Sequence, residues 1–207
     1  MIDIKKLIVV LFLGMLVSAC GSSGSSSSGG GGGGGGGTAP PTVSKVLVIG
    51  DSISNGFGLA VPFPVRIGQA TGAPIINNNA NGRLSSGGLA ITSQLLATHK
   101  PSHFLVLLGT NDARKAFGGT VSNLQSMINA GNAAGAKVVV GTLPPFTNSS
   151  DSNARAADIS KGIRRLRGAA IAEVRGALGD GSTTIADGIH PNSRGQQLIA
   201  DQFLIRM

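Results

Sequence analysis

The chain has 207 residues, enough for one domain or two small ones, and nine of its 33 glycines form a single run from Gly29 to Gly37. Glycine without a triplet period excludes collagen, one cysteine excludes a disulfide scaffold, and recurring apolar runs from Val46 onward exclude global disorder. A formal charge of +8 raises nucleic acid as a partner, so the placement of those charges has to be read before it is accepted.

Lys5 and Lys6 precede the apolar stretch Leu7 to Val17, which is followed by Ser18, Ala19 and Cys20. A bilayer core needs about 20 apolar residues, so this segment is too short to span. A basic start, a short apolar middle and small residues at the end make residues 1–19 a secretory signal. The ending Val-Ser-Ala-Cys resembles the bacterial lipoprotein signal, which implies that Cys20 becomes the lipidated first residue of the mature chain. The other reading is a soluble secreted protein with a leftover thiol. Gly21 in place of Asp after the cysteine implies, by the same resemblance, the outer membrane in a cell that has one. Residues 21–44 then form a Gly/Ser-rich flexible tether with a mean reach of roughly 27 Å.

Residues 45–207 suit one core. Short β-branched or apolar runs predict strands at Val46–Ile49, Ile75–Ile76, Phe104–Leu108 and Val138–Leu143, with a weaker one at Ala169–Val174. Helical spacing fits Val65–Ala70, Leu89–His99, Val121–Ala134, Ala154–Arg167 and Ser193–Ile205, the last with Ser193 and Gln196 as a capping box. This alternation implies an α/β fold, a three-layer α/β/α sandwich around a parallel sheet.

Ligands bind beyond the carboxyl ends of strands in such sheets. The post-strand segments are Gly50-Asp51-Ser52-Ile53-Ser54, Asn77 to Gly82, and Gly109-Thr110-Asn111-Asp112, while Asp187-Gly188-Ile189-His190-Pro191 precedes the last helix. A hydroxyl nucleophile, a base, an orienting carboxylate and amide donors therefore converge on one edge, the inventory for nucleophilic acyl transfer. Each piece alone is ordinary turn or cap chemistry, and Asp112 also suits a helix N-cap.

In order and spacing the four blocks resemble those of the SGNH/GDSL hydrolases: GDSIS, INNNANGRLSSGG with Asn79 at the family's usual Ser position, GTND and DGIHP. The resemblance covers nearly all of residues 45–207 and is greatest to the small secreted esterase, thioesterase and lysophospholipase branch. It implies a flavodoxin-like five-stranded parallel sheet. It also implies Ser52 as nucleophile, His190 as general base and acid, and Asp187 as the carboxylate that orients the imidazole. The N–H groups of Ser52 and Gly82 and the Asn111 side chain become the oxyanion hole. No cofactor or metal is implied. The Gly-x-Ser-x-Gly elbow of the α/β-hydrolases is absent.

Among the remaining candidates, His99 and His103 read as surface residues far from the site, without metal-ligand partners at suitable spacing. Asp51 reads as structural. Phe57, Phe63, Phe117 and Phe146 are placed to line an acyl pocket or to pack, and Arg83 either favours anionic substrates or is solvated. Arg155, Lys161, Arg164, Arg165, Arg167 and Arg175 read as a solvated face or as attraction to anionic headgroups. Nucleic acid is disfavoured, since the chain has neither Trp nor Tyr for stacking and carries an export signal. The expectation is a monomeric, lipid-anchored envelope enzyme cleaving small-molecule or lipid acyl esters. The alternatives are an acetylesterase on envelope carbohydrate and a non-catalytic binding lipoprotein.

Overall fold

The computed structural model describes residues 42–207; the signal segment 1–19, Cys20 and the tether as far as residue 41 lie outside the described residues. Val43 already packs against the core, and the Ser44 N–H donates to Ser102 Oγ at 3.0 Å, so the last tether residues join the folded domain.

Strands and helices alternate in the order β1 (Val46–Gly50), α1 (Phe63–Thr71), β2 (Ile75–Asn79), α2 (Ser85–His99), β3 (His103–Leu107), α3 (Thr110–Lys115), α4 (Thr120–Ala133), β4 (Lys137–Gly141), α5 (Ser150–Ile163), β5 (Ala170–Ala172), α6 (Val174–Leu178) and α7 (Ser193–Leu204). The five strands form one sheet in the order β2-β1-β3-β4-β5, with every pair parallel. This is the flavodoxin-like order, whose crevice opens at the carboxyl ends of β1 and β3, where the connections leave to opposite faces.

Alternation along the strands explains the two cores. Leu47, Ile49, Phe104, Val106, Val138 and Val140 face one side with residues of α2, α4 and α5. Val46, Val48, Leu105, Leu107 and Val139 face the other, against α1, α6 and α7. Both faces are covered, so these strands read as unbroken apolar runs rather than alternating ones.

Four differences from the sequence expectations have physical reasons. Helix α2 begins four residues before Leu89, through Ser86-Gly87-Gly88, a stretch that reads as loop. A Cβ at Gly88 would lie 2.3 Å from Leu108 Cδ1, so the helix needs glycine to approach the sheet this closely. Its first turn is capped from outside: the Asp112 carboxylate accepts from the Ser85 N–H at 3.0 Å and from Ser85 Oγ at 2.6 Å. Asp112 thus caps a neighbouring helix and not its own. His103 is buried at the start of β3, its ring hydrogen-bonded to Ser102 Oγ and the Met207 carbonyl, and is no surface residue. Finally, α7 is capped by Asn192, which accepts from the Gly195 N–H at 3.0 Å, because Gln196 is drawn inward to other partners.

Candidate active site

Ser52 follows the end of β1 and is 6% exposed. The preceding Asp51 shapes its turn: Oδ1 accepts from the Ile53 N–H at 2.9 Å and Oδ2 from Asn111 Nδ2 at 3.2 Å. Complete burial pushes the Asp51 carboxyl up to about 7; the Ile53 N–H opposes the shift, and the nearby Asp112 charge adds to it. Asp51 is a structural hub beneath the cavity, as the sequence suggested.

His190 comes from the loop before α7, held there by the Ala186 N–H donating to the His190 carbonyl at 2.8 Å and by a bridge between Ile185 and Pro191. Its Nε2 lies 2.9 Å from Ser52 Oγ and its Nδ1 lies 2.7 Å from Asp187 Oδ2. An ionised carboxylate only accepts, so Nδ1 carries the proton and Nε2 is free to accept from the serine hydroxyl. Asp187 folds back onto its own loop, Oδ1 accepting from the N–H groups of Ile189 at 3.0 Å and His190 at 2.8 Å. Burial raises the Asp187 pKa, but these N–H groups and the His190 ring outweigh it and hold the carboxyl below its usual value.

A cavity of about 140 Å³ opens beside these groups, lined by Ser52, Phe57, Asn81, Gly82, Thr110, Asn111, Arg114, Ile189 and His190. Gly82 has φ +74°, a conformation glycine adopts without strain. No atom lies within 4 Å of where its Cβ would be, so its backbone is open to a ligand. The Asn111 amide donates to Asp51 Oδ2 and, at 3.3 Å, to the Arg83 carbonyl. Both contacts are at the long end of hydrogen bonding, so an anion in the cavity can compete for these protons. Phe57 stacks on the His190 ring with centroids 3.8 Å apart and planes 7° apart. It does so from a left-handed backbone, φ 47°, secured by its N–H donating to the Asn55 side chain at 3.0 Å. Such a conformation stores about 1–3 kcal/mol, here in a residue that walls the cavity.

The structure therefore brings together Ser52, Gly82, Asn111, Asp187 and His190. Of the four phenylalanines, only Phe57 lines the cavity: Phe63 stacks on Phe203 in the core, Phe146 is buried among the α5-side residues, and Phe117 is exposed. Arg83 is absent from the cavity lining, and its guanidinium donates to the Gly50 and Asn78 carbonyls and to Asn78 Oδ1. The basic helix is also less free than it reads. Arg155 donates to the Ala113 carbonyl, Arg164 is bidentate on Glu173, Arg175 donates to Asn153 Oδ1, and Lys161 pairs with Asp158. Sequence reasoning passed over Arg114 and Thr110. Their i, i+4 spacing beside Asn111 was the available signal, but a six-residue helix gives no periodicity to orient.

Residues 48–198 match the sequence pattern of the GDSL-like lipase/acylhydrolase family, almost three quarters of the chain. The chain belongs to that family. Among relatives of this GDSL-like protein, an arylesterase of Vibrio mimicus is 35% identical over 105 residues, covering 46% of this chain and 52% of the relative. The esterase TesA of Pseudomonas aeruginosa is 34% identical over 104 residues, with the same coverage. The chain thus matches about half the length of these curated relatives. Solved structures align more fully. The crystal structure of TesA superposes with a TM-score of 0.66 at 27% identity, covering 78% of this chain and 97% of that one. An acetylxylan esterase from Geobacillus stearothermophilus gives 0.67 at 15% identity, covering 81% and 95%, and so shares the fold.

Proposed function

We propose that this GDSL-like domain hydrolyses carboxylic esters through a covalent acyl-Ser52 intermediate. The continuous chain Ser52 Oγ–His190–Asp187, at 2.9 and 2.7 Å, carries the reading. As Oγ attacks the ester carbonyl, its proton passes to His190 Nε2, and Asp187 stabilises the imidazolium that forms. The anionic carbonyl oxygen takes hydrogen bonds from the N–H groups of Ser52 and Gly82 and from the Asn111 amide, each such donor being worth about 3–4 kcal/mol. Collapse returns the proton from His190 to the departing alcohol. Water then repeats the sequence on the acyl-serine and releases the acid. No step calls on a cofactor.

The cavity volume favours a short acyl group. At about 140 Å³ it is well under the ~300–1,000 Å³ usual for small-molecule pockets. A long chain would have to leave the cavity past the exposed ring of Phe57, which lines it. The same volume supports a second reading, removal of acetyl groups from envelope carbohydrate, and the likeness to an acetylxylan esterase fold is compatible with it. The decisive experiment is labelling with a serine-directed phosphonate together with turnover of 4-nitrophenyl acetate. Both are expected in the wild type and absent in Ser52→Ala; retention of either in the variant rules the mechanism out.

The placement at the cell envelope is likewise a proposal, supported by Lys5, Lys6, the short apolar stretch and the Val-Ser-Ala-Cys ending. No helix among the described residues is long and apolar enough to cross a membrane. Palmitate incorporation that disappears in Cys20→Ala supports the lipid anchor; equal incorporation in both refutes it.

A further inference from the structure

Resting on the esterase reading, we propose that Arg114 forms an anion-recognising subsite beside Ser52, so that the preferred substrate is an ester carrying a carboxylate or phosphate close to the scissile bond. Thr110, Asn111 and Arg114 all line the cavity from α3, with Thr110 and Arg114 one helical turn apart.

Arg114 carries the only permanent charge in the lining, since the other members are neutral or, in His190, titratable. Its one polar contact among the described residues is a marginal 3.5 Å approach to Asn111 Oδ1, and none of the ion pairs there includes it. The other arginines around the site are engaged: Arg83 on Gly50 and Asn78, and Arg155 on the Ala113 carbonyl. A guanidinium with unspent donors is what a carboxylate or phosphate oxygen pair accepts, in a bidentate fashion.

Asp51, Asp112 and Asp187 are absent from the cavity lining. Their carboxylates are turned to Ile53 and Asn111, to Ser85, and to His190 respectively. The cavity thus presents a free cation and has no carboxylate in its wall to repel an anion.

The test compares kcat/KM for matched ester pairs that differ by an anionic group, a carboxylate of one charge in the first and a phosphate of about −1.5 to −2 in the second. Mono-4-nitrophenyl glutarate against 4-nitrophenyl valerate places the charge on the acyl side. 1-Acetylglycerol 3-phosphate against 1-acetylglycerol places it on the alcohol side, so the arm showing the preference also locates it. The anionic-to-neutral ratio is expected to fall about tenfold in Arg114→Gln, the size of one ion pair at a half-solvated site, and to be restored in Arg114→Lys. Added salt should erode the wild-type preference more than that of Arg114→Gln. Any disturbance of Asn111 through its contact with Arg114 acts on both members of a pair and cancels in the ratio. The same ratio in wild type and Arg114→Gln on both arms, with the neutral esters cleaved, overturns the subsite alone. Failure of the wild type to cleave any of the four esters overturns the esterase reading and the subsite with it.

Discussion

Gln196 offers the sharpest test of how the domain holds its site together. Fully buried on α7, it accepts from the Phe63 N–H at 2.9 Å through Oε1 and donates to the Ile53 carbonyl at 2.8 Å through Nε2. It therefore ties the residue after Ser52 and the first turn of α1 to the helix that follows His190. Gln196→Met keeps the length and removes both bonds. The Phe63 N–H, an orphan donor at a helix start, then has no partner, which costs about 1–3 kcal/mol. The Ile53 carbonyl retains the Gly56 N–H at 3.3 Å, so its loss is smaller, about 0.5–1.5 kcal/mol. The expected destabilisation is about 3 kcal/mol. At about 2–4 °C per kcal/mol for a domain of this size, the melting temperature drops by about 9 °C. With neither Trp nor Tyr in the chain, far-UV circular dichroism during urea and thermal unfolding is the suitable readout. Gln196→Glu sharpens the test. A protonated carboxyl can reproduce both bonds, whereas the ionised form turns an oxygen without a proton toward the Ile53 carbonyl. Burial raises the folded-state pKa of this glutamate above its unfolded value of about 4.3, so its stability matches the wild type below that pH and falls as pH rises. A Met variant within about 1 kcal/mol of the wild type, or a Glu variant whose difference from the wild type does not change with pH, would refute the reasoning.

Two further outcomes follow from groups around the cavity. Asp51 has a folded-state pKa of about 7, above its unfolded value of about 3.9, so its contribution is fully present below pH ~4 and is lost as pH rises through 7. Urea midpoints should decline from pH 5 to 8 in the wild type, by at most about 1.4 kcal/mol per pH unit for this one proton, and less steeply in Asp51→Asn; parallel profiles would contradict the burial argument. Phe57→Ala removes the ring stacked on His190, worth about 0.5–1.5 kcal/mol. Ester kcat/KM should fall about three- to tenfold without loss of fold by circular dichroism, and an unchanged value would show that the imidazole is held adequately by Asp187 alone.

The central strands and the blocks at their ends were legible because both are local. An apolar run bounded by glycine reads as a buried strand wherever it lies, and Ser52, Asn111, Asp187 and His190 sit in short motifs with fixed spacing. What escaped the sequence depends on contacts between distant residues. Strand β2 continues through Asn77, Asn78 and Asn79, polar residues that favour turns, because each pairs with β1 as far as Gly50 opposite Asn79. Gln196 has the spacing of a capping residue, yet its partners lie 133 and 143 positions away. Arg83 and Arg114 are indistinguishable as letters beside a motif. Only the fold turns the first onto the strand ends and the second into the cavity.

Strand β1 lies inside the sheet between β2 and β3, and its direction sets which end of the sheet carries the site. The chain enters at Val46 and reaches Ser52 only after crossing the sheet, about 17 Å for five residues at ~3.3–3.4 Å each. Met207 is at the entry edge too, its carbonyl accepting from the His103 ring and from Lys137 at the starts of β3 and β4. Anything attached to either flank therefore meets the domain on the side away from the cavity. A bulky group fixed directly at Val46 or at Met207 would stand across the sheet from the mouth and leave the cavity open to esters that diffuse past.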